Sequence, residues 1–337
     1  MPLRRGLEEL RKYLPLPTTG EAEKAFTTYK NYLVHIDSCV GGVYGVGDSL
    51  ISGLVVDVRS GKKFRSIQRR RITDKQREAI TKALTISWTK ELQLRIPAAF
   101  DTQLLPHLIQ GAGHLSYYSV FHGARALFLA SGQQVEPTHS SALATLSTWV
   151  KDRRLFPEPW SAYVEGGPNR GAMALGGLPG YATLSGSVHP LGSPSPETVW
   201  DSLRMLLCTT RDRQIEERKA EWRKRAGKKN VPGAEAVRIC HNLPATTLFS
   251  VLWRLRKRSD YADADAFLEG VTTAHDAELY QNAIVRIVHA TLGIFETILI
   301  AYVGPDLYHE AAERFLKQAT GPGSEGVEER STVILAL

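Results

Sequence analysis

The chain has 337 residues, of which 43% are apolar, and its formal net charge at pH 7 is +7. A chain of this length and apolar content buries a sizeable core, which excludes disorder as its main state and predicts one or two domains. Its three cysteines are too few and too scattered for a disulfide framework, and no Cys-x-x-Cys or His-x-x-x-His pair indicates a zinc site. We therefore expect a reduced, cytoplasmic protein that uses no metal and no cofactor.

No segment of the sequence predicts a signal peptide or a membrane span. Residues 1–9 lack the uninterrupted apolar run of a signal peptide. The most apolar stretch, residues 284–303, carries Arg286, His289 and Glu296, which is atypical of a membrane span. We therefore expect no contact with a membrane.

Residues 1–72 are predicted to form a small α/β region. Residues 20–40 have helical periodicity, which four glycines between positions 41 and 47 interrupt. These glycines lack the Gly-Lys-Ser/Thr ending and the preceding strand of a phosphate-binding loop, so we interpret them as a turn. The run 50–58 is short and β-branched, which favours a strand or a hairpin.

The positive charge is concentrated in two segments. Residues 62–77 hold eight basic residues against one acidic residue, with Phe64 among them, and such a surface attracts a polyanion by counterion release. Residues 211–229 are also basic, but their glutamates can pair with neighbouring cations along a helix. A solvated surface is the alternative for both segments and is favoured for the second. The residues predicted to contact nucleic acid in the first segment are Arg65, Arg69, Arg70 and Arg71.

Residues 73–154 are predicted to be the first part of a helical domain. Thr73 and Asp74, followed by Gln76, indicate the start of one helix. The next helix covers 117–131 and ends at Gly132, because glycine adopts the left-handed conformation without a Cβ penalty. Most of this helix is apolar or small around its circumference, so it should be packed on several sides and approached closely by a neighbour. Its central residue, His122, is either a hydrogen-bonded core histidine or a catalytic one.

Residues 155–240 are predicted to be an insertion. The stretch 155–195 is rich in Gly and Pro and reads as loop or irregular hairpin. Ser195, Pro196 and Glu197 then begin a helix that runs to about residue 225 and carries the second basic segment. An insertion of roughly 80 residues is longer than an ordinary connection, which favours a functional or partner-binding appendage.

Residues 241–320 are predicted to be the second part of the helical domain. One helix, within 246–258, has an apolar stripe, and a longer helix from about 278 to 302 closes the domain. The polar face of the longer helix offers an interface between protomers. Residues 321–337 are predicted to be a C-terminal tail whose last residues are apolar enough to dock.

Three blocks of the sequence resemble the HEPN family, whose members are small helical domains. The blocks are residues 117–125, which read Tyr-Tyr-Ser-Val-Phe-His-Gly-Ala-Arg, the helix-opening turn 137–141, and residues 252–261, which end in Arg-Ser-Asp-Tyr. The resemblance covers about half of the chain. It implies a mainly α fold, here a HEPN-like bundle interrupted by the insertion, with RNA or nucleotide binding in toxin–antitoxin or antiviral defence. It also implies a homodimer and a partner protein such as a nucleotidyltransferase antitoxin, for which Tyr261 is the candidate modification site.

Catalytically active HEPN proteins share an Arg followed, after four to six residues, by a His, and this motif marks a metal-independent endoribonuclease. None of the ten histidines has that spacing. Cleavage of RNA requires a His to accept the 2′-hydroxyl proton and an Arg to stabilise the phosphate, both on one side. Arg286 and His289, at positions i and i+3, meet this requirement and are catalytic candidates together with His122.

Arg254 and Arg258 share a helical stripe with Tyr261 and are predicted to form a phosphate clamp. Arg256 and Asp260, at positions i and i+4, are interpreted as an ordinary helix ion pair. The alternative function is a non-catalytic helical module that binds a partner protein or a nucleotide, which the missing Arg/His spacing favours. A Ser or Cys hydrolase has little support, because the sequence has no Gly-x-Ser-x-Gly elbow.

Overall fold

The computed structural model describes residues 20–99, 105–134, 138–153, 155–167, 173–177, 196–262, 266–267, 269–271, 273–319, 321 and 323–337. Within these residues the protein is mainly helical and has one small sheet, so the predicted mainly α fold class is confirmed.

The helices of the first half of the chain are α1 (Gly20–Tyr44), α2 (Asp48–Ser60), α3 (Lys62–Arg65), α4 (Asp74–Arg95), α5 (Leu105–Leu108), α6 (Ala112–Ser131) and α7 (His139–Thr148). Those of the second half are α8 (Pro196–Ala226), α9 (Gly233–Asn242), α10 (Leu248–Lys257), α11 (Ala274–Val303), α12 (Pro305–Gln318) and α13 (Glu325–Ala336). Two π-helical turns, Trp149–Arg153 and Arg258–Ala262, follow α7 and α10.

The sheet consists of β1 (Tyr163–Gly166), β2 (Met173–Gly176) and β3 (Thr246–Thr247) in the order β2-β1-β3. Both pairs are antiparallel, and Val164 lies opposite Leu175 on one side and Thr246 on the other.

The core is centred on α6 and α11, which pack against each other. The predicted close approach at the small residues of α6 is confirmed. A Cβ atom added to Gly123 would lie 2.8 Å from Cδ2 of Leu292 on α11. On another side of α6, Ser119 and Ser87 of α4 each donate a hydroxyl hydrogen bond to the backbone carbonyl of the other, at 3.0 and 2.7 Å. These contacts fix three helices around one buried core.

Two helix boundaries predicted from the sequence are confirmed. The Thr73 side chain caps the first turn of α4 and forms a capping box with Gln76. Gly132 ends α6 with a φ of 72°, in the left-handed region that favours glycine.

The strand or hairpin predicted for residues 50–58 is wrong, because these residues belong to α2. Their buried members, namely Leu50, Ile51, Leu54, Val55 and Val58, recur three or four positions apart and share one face of the helix. This face packs against α11 and α13, and burial of a helical stripe outweighs the β preference of branched side chains. The small β element lies instead in β1, β2 and β3.

Part of the predicted insertion lies in the core, namely residues around Phe156 and Trp160, β1 and the first half of α8. The predicted helix is present as α8, and it packs along α1, where Ser202 Oγ lies 2.6 Å from Nδ1 of His35. Arg211 of α8 is fully buried, and its guanidinium donates to the carbonyl oxygens of Gly166, Cys240 and Pro244 at 2.5 to 3.1 Å. This arginine therefore joins α8 to β1 and α9. The predicted helix cap Ser195 lies outside the described residues.

Among the described residues, α11 is long and apolar enough to cross a membrane, and the bent pair Gly20–Tyr44 and Ser49–Ser60 passes the same test together. However, 83% of the most apolar part of α11 is buried inside the protein, as in the central helix of many soluble folds. Length and composition are therefore weak grounds for a membrane span here.

Candidate functional site

The catalytic candidates Arg286 and His289 are held by different partners. Arg286 pairs with Asp37 of α1, because its Nε donates to Oδ1 at 2.7 Å and its Nη2 contacts Oδ2. His289 is 4% exposed, and its Nδ1 accepts a hydrogen bond from Nη1 of Arg330 at 2.7 Å. Nε2 of the same ring lies 3.2 Å from a carboxylate oxygen of Glu329. The His289 imidazole is thus held inside the fold by its own partners.

A buried ion network, formed by Glu91, Glu296 and Arg330, occupies the polar face of α11. Arg330 is fully buried and donates to Glu91 at 2.7 and 2.8 Å and to Glu296 at 2.9 Å. Trp88 and Tyr308 also donate to Glu296, at 2.8 and 2.7 Å. His289, Gly293 and Glu296 of this face are buried by the chain's own helices, while 47% of the Arg286 side chain is exposed. An interface between protomers at this face stays a prediction. The predicted C-terminal tail contains a core helix, α13, in which Val327, Arg330 and Ile334 are buried.

The basic segment 62–77 lies on the surface. Its four predicted nucleic-acid-binding arginines are all exposed. Two of them have partners within the chain: Arg70 donates to the carbonyl oxygen of Ser131 at the end of α6, and Nη2 of Arg69 lies 3.8 Å from Oδ2 of Asp306. Arg65 and Arg71 are therefore the better candidates of the four for a contact with RNA.

His122 lies on α6 and is partly buried. Its Nδ1 is buried and has no hydrogen-bond partner among the described residues. Burial, with a smaller contribution from the Arg125 charge, lowers the pKa of His122 to about 4. The imidazole is therefore neutral at physiological pH, and its ring packs 6.3 Å from Tyr118, centroid to centroid.

The three sequence blocks meet in a histidine–aromatic cluster, which we define as His114, Tyr117, Tyr118, His139, Trp253 and Arg256. Helix α6 contributes the first three residues, the start of α7 contributes His139, and α10 contributes Trp253 and Arg256. The His114 and His139 rings lie 4.6 and 5.6 Å from the Tyr118 ring, and the Arg256 guanidinium lies 5.7 Å from it. Two imidazoles and one guanidinium thus surround a single tyrosine ring.

Hydrogen bonds and stacking orient the two histidines. Nδ1 of His139 lies 2.9 Å from the Tyr117 hydroxyl, and its ring stacks on Trp253 at 4.8 Å. Nδ1 of His114 lies 3.2 Å from Oδ2 of Asp260, and this contact orients the imidazole. The same Asp260 oxygen lies 3.0 Å from Nε of Arg256, so the predicted ion pair between these two residues is confirmed.

The two histidines differ in their electrostatic surroundings. Burial, and then the nearby Arg256 charge, lower the pKa of His139 and favour its neutral form. Burial raises the pKa of Tyr117, so its hydroxyl stays protonated. When Nδ1 of His139 donates to the Tyr117 oxygen, the Nε2 lone pair is free to accept a proton. The cluster therefore combines a neutral imidazole with a second imidazole held beside a carboxylate.

His114, His139 and Trp253 were not among the site residues predicted from the sequence. Two of them lie inside the HEPN-like blocks and the third lies just before the first block. The HEPN-like blocks could therefore have pointed to these residues. Which rings contact one another, however, depends on how α6, α7 and α10 pack.

Arg254 and Arg258 line a cavity between α8 and α10, together with Arg213. Arg254 Nη1 donates to the hydroxyl groups of Thr209 and Thr210 on α8, at 3.0 and 3.1 Å. The two predicted phosphate-clamp arginines are therefore on one surface. The side chain of Tyr261 lies outside the described residues.

No model of a known protein family matches this chain, and no curated protein and no solved structure is significantly similar to it. The resemblance to HEPN proteins, and the homodimer and nucleotidyltransferase partner that it implies, stay predictions. Among the described residues, no group of three His, Cys, Asp or Glu side chains is arranged to hold a metal ion.

Proposed function

We propose that the protein binds RNA at the histidine–aromatic cluster and cleaves it there as a metal-independent endoribonuclease. The observation that carries this proposal is the position of His114, His139 and Arg256 around the Tyr118 ring. Aromatic rings stack on unpaired bases without regard to sequence, and a guanidinium binds the phosphate between them. Groups that bind RNA and groups that transfer protons are thus found in the same cluster.

The chemistry assigns a separate role to each charged group. Neutral His139 accepts the proton of the 2′-hydroxyl through Nε2, and the 2′-oxygen forms a bond to phosphorus as the bond to the 5′-oxygen breaks. His114, which Asp260 orients, donates a proton in its protonated form to the leaving 5′-oxygen. Arg256 stabilises the negative charge on the phosphate. The products are a 2′,3′-cyclic phosphate and a 5′-hydroxyl end.

The test incubates the protein with a pool of structured and single-stranded RNAs without added metal. We expect cleavage that leaves 2′,3′-cyclic ends and that falls at least about 100-fold in His139→Ala and in His114→Ala, the usual loss on removing a general acid or base. Because the lowered pKa of His139 keeps it neutral in mildly acidic solution, the rate should hold its value below the ordinary histidine pKa of 6.5.

His309→Ala is the matched control, because this histidine lies on α12 with 56% of its side chain exposed. Cleavage that is unchanged in both cluster variants would overturn the proposal. RNA binding without cleavage would favour the second candidate, a non-catalytic RNA- or nucleotide-binding module. One observation supports that candidate: Asp260 pairs with Arg256 and offsets the guanidinium charge that would stabilise a phosphate during cleavage.

A further inference from the structure

A small cavity between α8 and α10 adjoins the histidine–aromatic cluster. Its volume is about 130 Å³, close to that of an engineered cavity of about 150 Å³ that accepts benzene. The cavity therefore has room for one compact group such as a phosphate. Trp253 lies in its wall and also stacks on His139 of the cluster. The charged side chains that line it are Arg213, Glu217, Arg254, Lys257 and Arg258.

The charges around the cavity are unbalanced. Among the described lining residues, Glu217 is the single carboxylate, and it already pairs with Lys257 at 2.8 Å. It also lies 3.5 Å from Nε of Arg213. The bonds that Arg254 makes to Thr209 and Thr210 are to neutral hydroxyls, and its buried Nε has no hydrogen-bond partner among the described residues. A half-buried guanidinium in this state has an unused capacity to bind an anion.

Repulsion between the arginines adds to this imbalance. Burial lowers the pKa of Arg254, and the charges of Arg258 and Arg213 lower it further. A bound anion relieves such repulsion, and a dianion relieves it more than a monoanion. A phosphate monoester, unlike the diester within a strand, carries up to two negative charges.

We propose that this cavity binds the phosphate monoester of a nucleotide, either a free nucleotide or the phosphorylated end of an RNA strand. The choice of a nucleotide rests on the proposed function, because the cavity and the cluster share Trp253. A more open groove of about 610 Å³ shares Arg213, Glu217, Arg254 and Arg258 with the cavity and has room for the attached nucleoside.

The test measures the affinity of the full chain for 5′-AMP, 3′-AMP and adenosine by isothermal titration calorimetry. We expect at least one of the two nucleotides to bind about tenfold or more tightly than adenosine, because charge-assisted hydrogen bonds form only with the phosphate. Arg213→Gln and Arg254→Gln should weaken this preference, and Glu217→Gln should strengthen it. Arg213→Gln keeps the test decisive if Arg254→Gln does not fold, because 42% of the Arg213 side chain is exposed.

Arg218→Gln is the matched control, since Arg218 lies on the same helix, pairs with Glu221 and does not line the cavity. Equal affinities for the nucleotides and adenosine would overturn the proposal, and so would a preference that survives in both Arg213→Gln and Arg254→Gln. A competition between RNA decamers with and without a terminal phosphate then distinguishes a strand end from a free nucleotide. Tighter binding of a nucleotide than of adenosine, without RNA cleavage, would support the phosphate site and overturn the ribonuclease proposal. RNA cleavage without that difference in affinity would support the ribonuclease and overturn the phosphate site.

Discussion

The guanidinium of Arg330 is fully buried and binds carboxylates from two other helices, α4 and α11. Burial alone raises the pKa of Glu91, but the charges of Arg330 and Arg95 hold it well below its usual range. The Glu91 carboxylate therefore stays ionised inside the core. The Glu91 carboxylate stabilises the fold only while it is paired with Arg330 of α13.

Replacing Arg330 by Met keeps an unbranched apolar stem but removes the guanidinium, which leaves Glu91 and Glu296 without the cation that joins them. We expect the free energy of unfolding to fall by about 3–5 kcal/mol, the usual loss when one partner of a buried ion pair is removed. Urea denaturation measures this change. Arg314→Met, on the exposed side of α12, is the control and should shift stability by less than about 0.5 kcal/mol. Equal losses in both variants would contradict this role of Arg330.

The sequence did not predict the network around Arg330. Residues 325–331 read Glu-Gly-Val-Glu-Glu-Arg-Ser, a composition typical of a solvated segment. The partners of Arg330 lie at positions 91 and 296, and no local pattern links such distant residues. Buried ion pairs depend on tertiary packing alone, so a reading of local sequence assigns their members to the surface.

Helix ends were more predictable than the choice between helix and strand. The Thr73 cap and the left-handed Gly132 act within a few residues, and both were confirmed. In α2, by contrast, the β-branched composition suggested a strand, while the three-and-four spacing of its buried apolar residues fitted a helix. The helix forms because α11 and α13 bury that face, which local propensity does not reveal.

The contact between α6 and the end of α10 depends on Gly113. A Cβ atom at this position would lie 2.6 Å from Oγ of Ser259 and 3.3 Å from the backbone oxygen of Leu255. Gly113→Ala should therefore separate the two elements that carry the histidine–aromatic cluster. We expect it to lower the free energy of unfolding by about 1–3 kcal/mol, as overpacking usually does, and to slow RNA cleavage.

Gly42→Ala in α1 is the matched control, because no atom lies within 4 Å of the added Cβ. That variant should gain about 0.4–1 kcal/mol of stability, since alanine restricts the unfolded chain. Thermal melts of both variants make the comparison. A stabilised Gly113→Ala would show that the packing of α6 against α10 adapts at little cost.

At the scale of the whole molecule, the candidate site is assembled from segments more than 100 residues apart in the chain. The HEPN-like blocks contained several of its members, but they did not indicate which rings would meet. The described part of the insertion adds α8, which forms one side of the arginine-lined cavity. Non-local packing therefore decided the site, whereas local patterns predicted most of the helices that carry it.

The distribution of basic residues on the surface predicts how RNA affinity depends on salt concentration. The segment 62–77 was predicted to bind polyanions and 211–229 to be solvated. In a His139→Ala background, replacing Lys62, Lys63, Arg65 and Arg71 with Gln should reduce the salt dependence of single-stranded RNA affinity. The slope of log K against log salt falls by about 0.7 for each RNA phosphate that the protein no longer neutralises.

A second quadruple variant carries the same change of charge at exposed positions on or just after α8. Its substitutions, all to Gln, are at Lys224, Arg225, Lys228 and Lys229. It should leave the slope unchanged, as measured by fluorescence anisotropy between low and high salt. If the slope changed equally in the two variants, RNA affinity would depend on the net charge of the protein and not on the position of the basic residues.

The indole of Trp253 is a boundary shared by the cavity and the histidine–aromatic cluster. An occupant of the cavity that shifts this ring alters the surface on which His139 stacks. Thermodynamic reciprocity then applies: if a phosphate in the cavity changes the affinity of the cluster for RNA by some factor, RNA changes the affinity for the phosphate by the same factor. Under the two proposals, the cavity and the cluster would be coupled sites, and a nucleotide bound in the cavity would change the affinity of the cluster for RNA.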